Sequence, residues 1–418
     1  MNGGVPNQNM IFNKKILVLT IRSSMDFRIN TVEPLKEIFN TCIAYNYRDK
    51  YKKLGRRLMN RDVMRLFERE KPDLVLFLAA GEEIYKSTIM KMATTGSITL
   101  GWFFDDGINF DTYSKWWTDV LSYYVTHDRK SYMKCKNRKI NAILIPIFTN
   151  PRYYRPHPCS KKYDVSFVGA GYYPSRKIFF QSLAKIGIKV SKYGRGWENE
   201  SLSVEDVVKM YNETKINISL SGAYVPDFIP GAKKDIKQLK GKLVEIAMCG
   251  GFLLTEYAPY LEDYFDIGKE VICFSDVEDA KRKIEYYLSH DQEREQIAQA
   301  GYEKARRHYS SDVVLRNLFK EVYRLESQKM LTGKKNNKNI KKLSWSAESY
   351  VVKVGKRRLA ANQHLYWGLI FLRRDRFFLA IDELIQAFLQ SPLFVLRFVL
   401  RWVYRRLWQA IVRISKKP

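Results

Sequence analysis

Short apolar runs alternate with segments of helical periodicity over the first 150 residues of the chain. The apolar runs are Ile16–Thr20, Thr41–Tyr45, Leu74–Ala80, Ser97–Phe104, Tyr123–Thr126 and Ala142–Ile147. Helical periodicity occurs at Val32–Phe39 and Lys50–Glu70. Continuous apolar strands separated by helices are typical of a parallel sheet that is covered on both faces. The pattern therefore predicts a first α/β unit over residues 1–150.

The alternation begins again after a proline-rich seam, TNPRYYRPHP, near residues 148–160. Predicted strands follow at Asp164–Val168, Lys189–Tyr193, Asn217–Leu220, Phe252–Thr255 and Glu270–Phe274. Predicted helices are Ser175–Ile186, Val204–Glu213, a segment that begins at Lys242, Asp276–Ser289 and Gln292–His308. The sequence thus predicts two Rossmann-like, doubly wound α/β domains, residues 1–150 and 151–330, that face each other across a cleft. Ligands of such open sheets bind outside the carboxyl ends of the strands.

The remaining residues predict a basic linker, 331–345, and a small helical extension, 346–418. The linker contains the polar stretch GKKNNKNIKK. The offsets of one tetratricopeptide-type helix pair are found at Trp367, Gly368, Phe371, Ala380, Leu384, Ala387 and Pro392. Only one such unit is visible, whereas a solenoid needs about three. A helical hairpin packed on the body of the protein is therefore the alternative interpretation.

The final predicted helix, near residues 394–414, carries arginines at multiples of four residues among aromatic and aliphatic side chains. This profile is typical of a helix that lies in a membrane interface. The residues predicted to contact the membrane are Arg397, Arg401, Trp402, Arg405 and Trp408. The alternative is a helix docked on the body with a solvated basic face.

Charge is distributed unevenly along the chain. The net charge is +28, and residues 331–418 contribute 19 Lys and Arg against 4 Asp and Glu. A basic tail on a moderately basic body indicates an anionic surface as its partner. Because no recognised nucleic-acid reader motif is present, we expect a membrane surface and not a nucleic acid.

The cysteines and the apolar runs indicate a cytoplasmic protein. The five cysteines form no C-x-x-C pair, which argues against a disulfide framework or a structural zinc site and favours a reducing compartment. The first residues show no secretory signal, and no stretch of 18 apolar residues predicts a transmembrane helix. We therefore expect a location at the inner face of the plasma membrane.

Two segments of the second domain carry candidate ligand-binding residues. Gly169-Ala170-Gly171 follows a strand and precedes a helix that carries Arg176. Glycines permit a tight turn and a helix N-terminus attracts anions, although a plain strand–turn–helix junction has the same sequence. Further along, the second segment contains Lys240, Lys242, Glu245, Gly250 and Gly251.

In this second segment, within the stretch KLVEIAMCGGFLLTE that begins at Lys242, a carboxylate stands on the apolar side of a helix. A carboxylate can accept both hydroxyls of a ribose, and lysine or arginine neutralises a diphosphate. The glycine pair would let the backbone approach a ligand closely. The alternative for Glu245 is an internal salt bridge. Glu256, after the following strand, is a further candidate in the cleft or solvates a loop.

Residues 160–325 resemble the nucleotide-sugar-binding half of GT-B glycosyltransferases, specifically the spore-maturation-type (CgeB-like) group. The resemblance is carried by YDVSFVGAGYYPSRKIFFQSL, VVKMYNETKINISLSG, KQLKGKLVEIAMCGGFLLTE and YFDIGKEVICFSDVEDAKRKIEYYLSHDQEREQIAQAGYEKARRHYS. The first 150 residues resemble the family only loosely, as expected for an acceptor-binding half. The resemblance implies a GT-B fold and a nucleotide-sugar donor, with no other cofactor.

The resemblance also implies roles for individual residues. Glu245 occupies the place of a glutamate that binds the donor ribose in related enzymes. Arg176 and Lys242, or Lys240, would bind the diphosphate. Retaining relatives with an E-x7-E motif have a second glutamate eight residues earlier, where this sequence has Lys237. The resemblance therefore does not assign retaining or inverting stereochemistry.

The first domain supplies the candidate catalytic residues. Asp105 and Asp106 follow the strand LGWFF at the expected carboxyl edge, and His127 follows YYVT. One of these side chains could deprotonate an acceptor hydroxyl, whereas the alternative for each is capping of a strand end. Because GT-B enzymes generally stabilise the leaving diphosphate with cations and helix dipoles, we expect no metal.

These observations predict a metal-independent, hexosyltransferase-type glycosyltransferase. It would transfer a sugar from a nucleotide diphosphate to a hydroxyl of a cell-surface glycan or lipid-linked acceptor, as in polysaccharide biosynthesis. Two alternatives remain. The first is a GT-B scaffold that has lost catalysis, because Lys237 stands where retaining relatives have a glutamate. The second is a nucleic-acid-binding protein, which the net charge of +28 suggests.

Overall fold

The structure is a computed structural model that describes most of both α/β units and parts of the C-terminal extension. The described residues are 12–21, 27–79, 81, 83–199, 201–222, 236–331, 357, 360, 361, 364, 365 and 377–400. The predicted linker, 331–345, lies outside them except for Leu331.

The first sheet has six parallel strands in the order β2-β1-β3-β4-β5-β6. The strands are β1 (Phe12–Thr20), β2 (Phe39–Asn46), β3 (Leu74–Ala79), β4 (Ile98–Phe103), β5 (Tyr123–Thr126) and β6 (Ala142–Leu144). The helices of this part of the chain are α1 (Glu33–Ile38), α2 (Tyr47–Glu70), α3 (Lys86–Thr94), α4 (Asp106–Asn109) and α5 (Arg129–Asn137). Buried apolar clusters lie on both faces of the sheet, which confirms the predicted parallel, doubly covered arrangement.

The second sheet has five parallel strands in the order β11-β10-β9-β7-β8. The strands are β7 (Tyr163–Val168), β8 (Ser191–Tyr193), β9 (Thr214–Ser219), β10 (Leu253–Glu256) and β11 (Ile272–Phe274). The helices are α6 (Pro174–Lys185), α7 (Val204–Glu213), α8 (Lys242–Met248), α9 (Val277–Ser289) and α10 (Asp291–His308). Both sheets share one topology, because in each the direction of the strand order reverses between the first and third strands. Such a reversal opens a crevice at the carboxyl ends of these strands, where ligands bind.

Helix α11 (Ser311–Leu331) packs against the first sheet, although it follows the second sheet in the chain. Its Leu315, Leu318 and Phe319 are buried against the same face of that sheet as Leu35 of α1. The sequence places residues up to 330 in the second domain, whereas the structure packs this helix on the first. An amphipathic pattern shows that a helix has an apolar face but not which sheet that face covers.

The C-terminal extension contains helices α12 (Phe377–Gln390) and α13 (Pro392–Leu400). Ala387 of α12 packs with Ala361, Leu365 and Val395. Part of the predicted helix pair, Trp367, Gly368 and Phe371, lies outside the described residues, so its tetratricopeptide character stays a prediction.

Arg397 is exposed on α13, and the other predicted membrane contacts, Arg401, Trp402, Arg405 and Trp408, also lie outside the described part of the chain. Within that part, no single helix is long and apolar enough to cross a membrane. Helices α12 and α13 meet the length and composition criteria only as a pair, bent by 119°.

Candidate active site

The two domains meet at the carboxyl ends of their strands through a direct hydrogen bond. Gln238 Nε2, in the second domain, donates to Asp105 Oδ1 at 2.6 Å, in the loop that follows β4. Asp105 adopts a left-handed backbone conformation with φ of 55° and ψ of 34°, which is uncommon for a residue other than glycine. Asp105 is exposed.

Three cations of the second domain lie around the start of α8. Lys242 is the first residue of this helix, and Lys240 precedes it by two residues. A Cβ at Gly169 would lie 3.4 Å from Lys242 Cε. Arg176 Nη1 donates to the carbonyl of Ala170 at 3.0 Å, and its guanidinium lies 4.1 Å from the centre of the Tyr173 ring. No ion pair joins any of these three cations to a carboxylate of the described residues.

Burial makes the charged forms of two of these cations less favourable. Burial lowers the pKa of Lys240, and the Arg176 charge acts in the same direction, while Asp105 across the cleft opposes it. Burial also lowers the pKa of Arg176. Burial of a cation is unfavourable in the free protein, and Asp105 and Glu256 offset this cost only in part, so a bound anion would reduce it further.

Glu245 points toward the same end of helix α8. Its Oε1 would lie 3.2 Å from a Cβ at Gly241, the residue before the helix, and its Oε2 lies 3.4 Å from the Tyr211 hydroxyl. Burial, with the Glu245 charge as the next cause, raises the pKa of Tyr211 well above its usual value. The Tyr211 phenol therefore stays protonated and donates to the carboxylate. Glu245 therefore has a hydrogen-bond partner within the protein and lies near the cleft.

The glycines at 169 and 171 serve the fold of the loop. Their backbone amides donate to the carbonyls of Tyr193 and Arg195, each at 2.8 Å. A Cβ at Gly171 would lie 2.6 Å from the ring of Trp197, so only glycine fits beneath this ring. Because both amides have partners within the domain, they are not available to bind an anion.

Gly250 and Gly251 lie at the opposite end of α8 from the three cations. Gly250 has φ of +68° and, with Gly251, ends the helix through amide hydrogen bonds to Ala247 and Ile246. A Cβ at Gly251 would lie 2.9 Å from Asn217 Nδ2. The chain then enters β10 at the amino edge of the sheet. The predicted close approach to a ligand is thus replaced by helix termination and close packing.

The carboxylate of Glu256 holds the backbone at the end of β9. Its Oε2 accepts from the Ser221 amide and hydroxyl, both at 2.9 Å, and from the Gly222 amide at 3.3 Å. Its Oε1 forms an ion pair with Lys237 at 3.3 Å. Lys237 is therefore neutralised by a carboxylate at the end of β10.

Asp106 is buried beneath the Asp105 loop. Its Oδ2 accepts from the Tyr124 hydroxyl at 2.5 Å and from Thr126 Oγ1 at 2.6 Å. Burial raises its pKa from an ordinary 3.8 to about 7, although these two hydrogen bonds act in the opposite direction. Because its oxygens face the interior, Asp106 fixes the loop that carries Asp105.

We expect Asp106→Asn to remove part of the pH dependence of stability. Between pH 4 and 7 the folded protein holds a proton that the unfolded chain has released, so the free energy of unfolding falls as the pH rises. The decrease from this group is roughly 4 kcal/mol over the full range. Urea unfolding of both proteins at a series of pH values measures it. Parallel pH curves would contradict the raised pKa.

His127 is held between two partners. Trp102 Nε1 donates to His127 Nε2 at 3.1 Å, and His127 Nδ1 lies 3.1 Å from the carbonyl of Ile145. This pairing fixes the neutral tautomer with the proton on Nδ1. Burial lowers the pKa of His127 to about 4, which agrees with a neutral ring. The lone pair that a general base would use is occupied by the indole of Trp102.

Two residues of the site were not found from the sequence. Gln238 has no motif around it, and only the folded chain brings it against Asp105. Tyr211 belongs to the amphipathic helix α7, where the sequence alone indicates an ordinary core residue. Only the structure shows that its hydroxyl lies beside Glu245. Among the described residues, no group of three or more His, Cys, Asp or Glu side chains could hold a metal ion.

Comparison with known proteins agrees with this architecture. Residues 176–320 match the family model described as glycosyl transferase-like. A search of curated protein sequences found no match. The solved structure of HepE from Anabaena in complex with UDP-glucose is similar with a TM-score of 0.54 at 10% identity, over 74% of this chain and 100% of that chain.

Two further solved structures have the same fold. Sucrose-phosphate synthase from Thermosynechococcus elongatus has a TM-score of 0.52 at 8% identity, over 76% of this chain and 100% of its own. A glycosyltransferase from Rickettsia africae has a TM-score of 0.50 at 11% identity, over 75% and 98%. The chain therefore has the GT-B fold, and residues 176–320 of it form a glycosyl transferase-like segment.

Proposed function

We propose that this protein is a glycosyltransferase that uses a nucleotide-diphosphate-sugar donor. The observation that carries the proposal is the group of Arg176, Lys240 and Lys242 beside Glu245, at the carboxyl edge of the second sheet. These cations have no carboxylate partner among the described residues, and the local pKa shifts favour a bound anion. The glycosyl transferase-like match over residues 176–320 and the UDP-glucose in HepE support a nucleotide sugar as that ligand.

In the proposed mechanism the three cations stabilise the charge that develops on the leaving diphosphate. Such preorganised charges act on the transition state more than on the ground state and therefore accelerate the reaction. Glu245 accepts hydrogen bonds from the ribose hydroxyls and positions the nucleotide. We propose a metal-independent, hexosyltransferase-type reaction because side-chain cations are available to neutralise the diphosphate.

Asp105 is our proposed general base for the acceptor hydroxyl. It is exposed in the cleft, and its loop is fixed from below by the buried Asp106. Asp106 and His127 are proposed to position this loop and the neighbouring strand, since Asp106 is buried with its Oδ2 bonded to Tyr124 and Thr126, and His127 Nε2 accepts from Trp102. We propose a hydroxyl of a cell-surface glycan or lipid-linked molecule as acceptor, and a cytoplasmic location at the inner face of the plasma membrane.

Thermal unfolding in the presence of nucleotides tests the donor site. We expect one nucleoside diphosphate, or its sugar, to stabilise the wild-type protein by roughly 2.7 kcal/mol at 100 times its dissociation constant. Glu245→Ala should lose most of this stabilisation because the ribose hydroxyls lose their acceptor. The measurement is the unfolding temperature against a panel of nucleotides and nucleotide sugars.

A matched control is Glu256→Gln. This substitution neutralises a carboxylate of the same cleft whose oxygens already have partners within the protein. It should respond to nucleotide like the wild type. No shift of the wild-type protein with any nucleotide would contradict the proposal and favour the catalytically inactive scaffold or the nucleic-acid-binding protein.

A further inference from the structure

Helices α12 and α13 present an exposed apolar face. Of the nineteen large apolar side chains that are exposed in the described part of the chain, nine lie in residues 377–400. On α12 they are Phe378, Ile381, Ile385, Phe388 and Leu389, with Phe378 90% exposed. Their spacing of three and four residues places them on one side of the helix. A concentration of this kind marks an interaction surface.

The opposite side of α12 is fixed against the first domain. Ala380 is fully buried in the core of that domain, and a Cβ at Gly55 would lie 2.5 Å from Leu379 Cδ2. Glu383 is buried, accepts a hydrogen bond from Tyr51 of α2, and lies 2.7 Å from Nδ1 of His364. Since this side is occupied, the helix cannot rotate to bury its apolar face.

Helix α2, on which α12 docks, carries a row of exposed arginines. Gly55 interrupts α2 with a non-helical conformation, and Arg57, Arg61 and Arg65 follow at intervals of four residues. All three are exposed, and none forms an ion pair with a carboxylate of the described residues. Because Leu379 of α12 contacts Gly55, the row begins two residues after the docking point. Guanidinium groups close to an apolar helix are typical of surfaces that bind anionic lipid.

We infer that the exposed face of α12 and α13, together with Arg57, Arg61 and Arg65 of α2, forms one docking surface for an anionic lipid bilayer. The apolar side chains enter the acyl boundary, and the arginines bind lipid phosphates through paired N–H donors. Charge complementarity selects a lipid over a second copy of this chain, because two copies that met through this face would bring their arginine rows together.

This surface assigns the first domain to the membrane side of the protein. The first domain is the proposed acceptor-binding half, so a lipid-linked acceptor follows, and that step rests on the proposed function. Lipid binding by itself does not require the proposed function, which allows the two to be tested separately.

Co-sedimentation of the full chain with vesicles tests the surface. The vesicles contain phosphatidylcholine alone or with about one-third phosphatidylglycerol, whose headgroup is anionic. We expect the wild type to bind the mixed vesicles at least tenfold more tightly. The triple variant Arg57→Gln, Arg61→Gln, Arg65→Gln should lose at least tenfold in affinity for them, and Ile381→Ser with Ile385→Ser should lose binding to a similar extent.

The matched control removes three exposed, unpaired cations from the second domain, Lys185→Gln, Lys189→Gln and Arg307→Gln, and should bind the mixed vesicles like the wild type. Equal binding by the α2 triple variant, or by the α12 double variant, would overturn the inference. So would a concentration-dependent dimer that Ile381→Ser with Ile385→Ser dissociates. Nucleotide-induced stabilisation, measured on the same samples, reports separately on the proposed function.

Discussion

Lys240→Met is expected to lower kcat/KM for the sugar donor by about 10²–10³-fold, the range seen when one preorganised charge-stabilising group is removed. The reason is that Lys240 is a partly buried cation with no carboxylate partner in the described residues, placed where Arg176 and Lys242 converge. Methionine keeps the unbranched side chain and removes the charge. Steady-state kinetics with the donor identified by thermal shift measures the effect.

The same substitution should raise the stability of the free protein. Burial and the neighbouring Arg176 charge both lower the pKa of Lys240, so the charged form is disfavoured in the folded state. Loss of activity together with a higher unfolding temperature is the expected trade-off between stability and function. A binding site whose charge is unfavourable without its ligand would behave in this way.

Lys237→Met is the matched control. Lys237 lies on the same segment, but Glu256 neutralises it in the protein itself. Its replacement should change kcat/KM much less than that of Lys240. If both lysines gave the same small effect, the cation group would not bind the diphosphate and the proposed mechanism would be wrong.

Asp105→Asn is expected to lower kcat by about 10²–10⁴-fold, the usual contribution of a positioned general base. Asparagine can still accept the hydrogen bond from Gln238, so the contact between the domains is kept. Nucleotide-induced stabilisation should be unchanged, because Asp105 belongs to the acceptor side of the cleft. The measurement is kcat at saturating donor and acceptor.

Gln238→Ala distinguishes the hydrogen bond between the domains from the catalytic role proposed for the Asp105 carboxylate. It removes the hydrogen bond between the domains while the Asp105 carboxylate stays in place. We expect less than a tenfold decrease in kcat, the scale of one lost neutral-to-charged hydrogen bond. An Asp105→Asn variant with wild-type kcat would exclude this residue as the base.

Much of the architecture follows from the sequence alone, because a parallel sheet buries its strands on both faces. Each apolar run of residues 16–147 corresponds to a strand of the first sheet, and helix α7 has the predicted bounds, Val204–Glu213. Strand and helix periods are local properties, so a single chain displays them. The resemblance then added the GT-B arrangement and the place of Glu245.

The local sequence pattern did not determine which sheet or helix each element would pack against. Helix α11 covers the first sheet although it follows the second in the chain, and α12 docks on α2 across more than 300 residues of sequence. Such contacts depend on the shapes of distant apolar faces, which only form once both elements are folded.

Among the site residues, some were identified from the sequence, whereas the contacts of others were known only from the structure. Position after a strand was enough to select Asp105. Cationic residue type near the start of a helix selected Arg176 and Lys240, and a carboxylate on the apolar side of a helix selected Glu245. Only the tertiary structure decided that Asp106 and His127 are engaged by buried partners, that Glu256 pairs with Lys237, and that the amides of Gly169 and Gly171 are already bonded. The physical reason is that a hydrogen-bonding group has a few close partners in space, and sequence spacing does not specify which partners those are.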